Sequence, residues 1–202
     1  ITVDNVSTSL ASLGLDVDDD STVTSLTVAH TTPVSIASGK TLSGAITVTA
    51  GSLQLDETGT LASTVSMSGG TLDADNSLTL SGALSQSGNI TIDVAEGKTL
   101  TYSGAALSLG ANTLTMSGEG RLSNTNDLDL NNASSKLLLS SSITVDSVST
   151  SADNSGIDVD DDSTLSSLTV AHTTPVSIAS GKTLSGAVTV TAGSIKLDEA
   201  GT

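Results

Sequence analysis

The chain has no cysteine, so no disulfide framework holds it together and no thiol nucleophile is available. It also has no phenylalanine and no tryptophan, and its one tyrosine is Tyr102. Aromatic rings supply large blocks of buried area in most compact globules. Here Leu, Val, Ile and Ala must do that work, and those side chains fill a narrow interior better than a wide one. Basic residues are scarce: six Lys plus Arg stand against 22 Asp plus Glu, for a formal charge of −16. Nucleic acid and anionic membrane both need a basic footprint, so neither is expected as a direct partner. No apolar run approaches the roughly 18 residues needed to cross a bilayer, so this segment is not expected to insert into one. There is no G-x-S-x-G nucleophile elbow, and there are only two histidines, His30 and His172.

What is present is repetition. Ile1 to Thr60 returns as Ile143 to Thr202 at a constant offset of 142, with 48 of 60 positions identical. Changes at apolar positions conserve volume (Leu15/Ile157, Val23/Leu165, Ile46/Val188, Leu53/Ile195), as a packed interior requires. The least similar patch, Leu10–Leu13 against Ala152–Ser155, reads as a loop. A Ser/Thr-rich acidic chain can fail to collapse, but here the apolar residues are regularly spaced, which argues for an ordered fold.

A short period sits inside the long one. Coils begin at Gly14, Pro33, Ser52, Thr71, Thr91, Thr113, Lys136, Gly156, Pro175 and Ser194, about 19 to 23 residues apart, and seven of them make one 142-residue super-repeat. Each coil opens with an alternating apolar pair, such as Leu15/Val17, Val34/Ile36 and Leu53/Leu55. Alternation puts both side chains on one face of a strand. A further apolar residue follows at the tenth place (Val23, Leu42, Leu61, Leu80, Leu100, Leu122, Val145). A final pair closes most coils, as in Leu26/Val28 and Ile46/Val48. Turn residues such as Ser38-Gly39-Lys40 lie between. Helical spacing is absent. A unit of about 20 residues is too short for a propeller blade of about 40 or an immunoglobulin-like module of about 100. The pattern predicts an all-β, single-stranded parallel β-helix: a β-solenoid in which equivalent residues stack about 4.8 Å apart. A single circuit cannot bury its own apolar face, so stability must come from neighbouring coils. The reading expects one continuous solenoid segment over residues 1–202, cut from a longer repeat array, with residues 1–142 one super-repeat copy and 143–202 the start of the next.

The runs SGKTLSGAITVTAGSLQLDETGTL and EGKTLTYSGAALSLGANTLTMSGEGRL resemble the G-x-L-x-L-x-G repeats of bacterial autotransporter passengers and filamentous-haemagglutinin-like adhesins. The likeness covers essentially the whole chain and is one of pattern and composition, with no family-specific site to carry over. It implies a right-handed β-helix displayed on, or shed from, a bacterial cell surface. Such families hold adhesins, biofilm fibres and a few enzymes, so the fold alone does not settle the role.

The strongest polar feature is Asp16-Val17-Asp18-Asp19-Asp20, repeated as Asp158-Val159-Asp160-Asp161-Asp162. Val17 and Val159 should point inward, leaving Asp16, Asp18, Asp19 and Asp20, and likewise Asp158, Asp160, Asp161 and Asp162, outside beside a turn. Four carboxylates within five residues repel each other, and Ca²⁺ with its preference for oxygen ligands would relieve that. The spacing is neither an EF-hand nor the calcium-binding nonapeptide repeat, and a solvated acidic turn is the competing reading. His30 and His172 hold the same coil position seven coils apart, too distant to share a ligand, and read as turn residues. A file of Thr22, Thr41, Thr60, Thr79, Thr99, Thr144, Thr164 and Thr183, interrupted by Arg121, reads as a structural ladder of cross-strand contacts.

Together these features point to a non-enzymatic fibre or stalk, structural and adhesive, extracellular on a bacterial surface. Its partners would be neighbouring repeats or copies of itself along a fibre, with lateral bundling bridged by cations. A glycan- or ice-binding module and a carbohydrate-active β-helix enzyme are the alternatives. The enzyme would need paired carboxylates in one groove, whereas the acidic clusters here recur in both copies, as scaffold does.

Overall fold

The computed structural model describes residues 1–8 and 13–197. Among these residues there is no helix, and the strands pair in parallel as stacked coils of a β-solenoid. The first face is a ten-stranded sheet with strands in chain order: Leu15–Val17, Thr32–Ile36, Ser52–Leu55, Thr71–Ala74, Ile90–Val94, Thr113–Ser117, Lys136–Leu139, Gly156–Val159, Thr174–Ile178 and Ile195–Leu197. The second face stacks Thr2–Thr8, Ser21–Val28, Thr41–Val48, Thr60–Leu61, Leu78–Leu80, Thr99–Tyr102, Arg121–Asn124, Thr144–Thr150, Ser163–Val170 and Leu184–Val190. The longer of these strands carry on around a corner to a third face. In the other coils the third face is made by separate strands, Thr64–Met67, Leu84–Gln86, Leu107–Ser108 and Leu128–Leu130.

The inward side chains form continuous files. Leu42, Leu61 and Leu80 are direct register partners and are fully buried. Leu26, Ile46 and Val65 form another file on the third face. Each such side chain removed from water contributes about 1.5–3 kcal/mol. The role of the next coil can be read from the repeat itself. Ile46 is 1% exposed under the strand that follows it, whereas its counterpart Val188 is 52% exposed; Leu55 and Leu197 compare as 1% and 67%. Near-identical sequence in the same strand is buried or not according to whether another coil covers it.

The register departs from the sequence template at three steps on the first face. The template sets Val34 under Leu53. Instead Val34 pairs with Leu55, and Thr32 lies beside Leu53. Ile92 likewise pairs with Met116, not Leu114, and Thr174 with Ile195. Each step is a slip of two residues, which keeps every side chain on its own face because the side-chain period is two. The slip draws Thr32 and Thr174 into the interior, both 0% exposed. There the Thr32 hydroxyl lies 3.0 Å from that of Thr8 and 3.1 Å from the His30 carbonyl, and Thr174 repeats this with Thr150 and His172.

On the second face Val23 pairs with Gly44, not Leu42, and Leu80 with Tyr102, not Leu100. The first of these shifts is a bulge, recurring at Leu165 and Gly186. Gly44 has φ +123°, and a Cβ there would stand 1.7 Å from the Val23 carbonyl oxygen; at Gly186, φ is +131° with the same 1.7 Å approach to Leu165. Only glycine fits a backbone held that way. The threonine file is correspondingly broken into pieces: Thr22 pairs with Ser43, Thr79 with Thr101, and Thr99 with Arg121. Ala152–Ser155 is a loop, as expected, while Leu10–Ser12 in the matching patch lie outside the described residues.

Candidate functional site

The acidic turn follows the strand Leu15–Val17. Val17 is buried, and Asp16, Asp18, Asp19 and Asp20 are exposed, as alternation demands. In the second copy Val159 is buried, Asp160 and Asp162 are exposed, and Asp158 and Asp161 are half-covered. The structure gives each turn two protein partners from the following coil. Lys40 Nζ sits 2.8 Å from Asp19 Oδ1, and Lys182 Nζ sits 2.6 Å from Asp161 Oδ1. Asp20 Oδ1 accepts the Thr41 backbone N–H at 2.9 Å, and Asp162 Oδ1 accepts that of Thr183 at 2.8 Å. Within the turn, Asp19 Oδ1 also accepts the Asp20 N–H at 3.0 Å. The hydrogen bond from Lys40, then the Asp20 N–H, hold the Asp19 carboxyl below its ordinary pKa; Lys182 does the same for Asp161. Asp158 forms a further ion pair with Lys136.

These contacts make the acidic turn a staple between coils. One carboxylate takes the lysine of the next Ser-Gly-Lys turn, and its neighbour caps the following strand. The lysines were legible as Lys40 and Lys182, but their match to Asp19 and Asp161 depends on a spacing of 21 residues, which only the stacked register gives meaning. Among the described residues, no three His, Asp or Glu side chains gather around a point that could hold a metal ion.

A second acidic group has members scattered along the chain, which only the stacking brings together. Gln54, Asp73 and Asp93 are successive register partners on the outer side of the first face. Asp75 accepts the Gln54 amide at 2.7 Å, and Ser117 donates to Asp93. Lys98, the nearest cation in sequence, donates to Asn76 Oδ1 at 3.2 Å. Burial first, then the charges of Asp75, Asp93 and Asp56, push the Asp73 carboxyl up to about 6. Burial and Asp75 also raise Asp56. A signal was available: Asp73 and Asp93 fall at the same coil position twenty residues apart.

The remaining candidates have structural surroundings. His172 Nδ1 lies 3.6 Å from Asp153 Oδ1 at the turn, and Gly51 and Gly193 pack directly on the His30 and His172 backbones. Arg121, which interrupts the threonine file, reaches Asp146 one coil on, 2.6 Å away. A shallow groove of about 230 Å³ crosses three coils on the third face, where Thr47, Ser66 and Ser85 are exposed register partners. No family description, curated protein or solved structure matched the chain in the comparisons.

Proposed function

We propose that this chain is a structural and adhesive extracellular fibre or stalk of a repetitive bacterial surface protein. The observation that carries the reading is the reuse of one inter-coil solution 142 residues apart. The Lys–Asp staple, the aspartate cap, the buried threonine pair and the glycine bulge all appear twice, at equivalent atoms. A block of this kind extends a rod without a new core: seven coils at about 4.8 Å add roughly 34 Å. The likeness to autotransporter passengers and filamentous-haemagglutinin-like adhesins supports the surface location.

The test is electron microscopy with small-angle scattering of chains carrying one and two super-repeats. The expected result is a rod that lengthens by about 34 Å per added block at constant cross-section; a particle that thickens instead overturns the reading. The acidic surface supports lateral association through divalent cations. Bundling that is insensitive to both Ca²⁺ and chelator would remove that part alone. A second reading draws on the exposed hydroxyls of Thr47/Thr49, Ser66/Ser68 and Ser85/Ser87, two abreast on three consecutive coils. It is a binding face for glycan or ice, tested by a glycan array and an ice-recrystallisation assay.

A further inference from the structure

Two of the three faces keep an unbroken ladder through the described coils, whereas the third is interrupted once. Leu84–Gln86 pairs only with the strand before it and Leu107–Ser108 only with the strand after it. The break is local. Three residues, Ser81-Gly82-Ala83, turn the corner in one coil, and four, Ser103-Gly104-Ala105-Ala106, in the next. Leu80 and Tyr102 stay in register on the second face across this step, and on its other side the four-residue corner meets the three-residue corner Thr125-Asn126-Asp127 with the ladder intact, Leu107 pairing with Leu128.

Side chains bridge the break. The Tyr102 hydroxyl accepts the Leu84 backbone N–H at 3.1 Å and donates to the Ala105 carbonyl at 2.6 Å. It thus stands between a donor and an acceptor that would otherwise belong to adjoining coils. Burial pushes the phenol above its ordinary pKa, so its proton is retained. Gln86 occupies the position where the preceding coils place Val48 and Met67, and its Nε2 donates to the Leu109 carbonyl at 2.9 Å. Its Oε1 is buried without a hydrogen-bond partner. The corner is tight as well: a Cβ on Gly104 would meet the Gly82 carbonyl oxygen at 2.4 Å and the Tyr102 ring at 2.6 Å.

We propose that the solenoid carries a built-in parting seam between Leu84–Gln86 and Leu107–Ser108, where the third face opens locally while the other two faces hold. Relay through one phenol and one amide replaces a cooperative backbone ladder, and an orphaned buried carbonyl oxygen adds to the cost of staying closed. Opening does not depend on the fibre reading; only its consequence, a defined yield point under load, does.

Residue-resolved amide hydrogen exchange on the intact chain tests it. The Gln86 and Ser108 amides face the seam, and their ladder-paired equivalents are Met67 and Asp129. The expected result is exchange at least tenfold faster at Gln86 and Ser108. Tyr102→Phe should speed exchange of Leu84 at least tenfold and leave Leu61 and Val145 unchanged. Rates at Gln86 and Ser108 within threefold of Met67 and Asp129 in the unaltered chain overturn the proposal by themselves, even where a variant fails to fold. So does an unchanged Leu84 rate in a folded Tyr102→Phe protein.

Discussion

Replacing Gly44 by alanine should separate the first coils from the rest of the rod. At φ +123° an L-residue is strained by about 1–3 kcal/mol. The new Cβ would also lie 1.7 Å from the Val23 carbonyl oxygen and 2.8 Å from its carbon. Both are backbone atoms, so no rotamer change relieves the clash and the bulge must open. Opening gives up one or two ladder hydrogen bonds at about 1 kcal/mol each. The sum is about 2–5 kcal/mol, reaching into the range of backbone and core lesions. Gly39→Ala is the control. Its φ is +73°, but a Cβ there meets nothing within 4 Å, so the cost is the left-handed penalty alone, about 1–2 kcal/mol. Stacked coils uncouple from one another more readily than they unfold all at once, so the assay is residue-resolved hydrogen exchange across a urea series. Gly44→Ala should lose protection in Thr2–Thr8 and Ser21–Val28 and leave Arg121–Asn124 unchanged. Gly186→Ala should do the equivalent around Ser163–Val170. If Gly44→Ala costs no more than Gly39→Ala, the bulge is not what shapes the coil, and the steric reasoning is wrong.

Leu61→Ala, at a fully buried position between Leu42 and Leu80, should cost about 2–5 kcal/mol in a urea melt. Asp73→Asn should stabilise the chain at pH 7–8. A raised carboxyl pKa means the folded state holds its proton more tightly than the unfolded one, so stability rises as pH falls from above 6 towards 4. A shift of that size on a fully buried group would be worth about 3 kcal/mol, and solvent screening of a half-covered one reduces this to about 1 kcal/mol. Thermal melts from pH 4 to 8 should slope downward with pH in the unaltered chain and flatten in the variant. Lys40→Ala and Lys182→Ala remove exposed pairs and should lower the melting temperature slightly at low salt and not at 1 M salt. Asp19 and Asp161 act in the opposite sense to Asp73: their depressed pKa gives a contribution present at neutral pH and lost as the solution is acidified below about 4.

The linear order of residues was enough to establish the stacking. Alternating apolar pairs about twenty residues apart admit one economical burial, and the files through Leu42, Leu61 and Leu80 follow from that spacing. So do the inward Val17 and Val159 and the outward aspartates beside them. What it could not settle was register. A parallel ladder tolerates a slip of two residues without turning any side chain to the other face, so Val34 over Leu53 and Val34 over Leu55 are equally consistent with the hydrophobic pattern. Folding in three dimensions chose between them and set Thr32 beside Leu53 in the interior, where its hydroxyl meets that of Thr8; the match of Lys40 to Asp19 and the approach of Asp75 to Asp73 likewise exist only once the coils are stacked. Tyr102 is the sharpest case. In the sequence it is one more apolar residue near the tenth place of a coil. Its role at the break in the third face exists only because the fold leaves Leu84–Gln86 and Leu107–Ser108 unpaired at a distance a phenol can span.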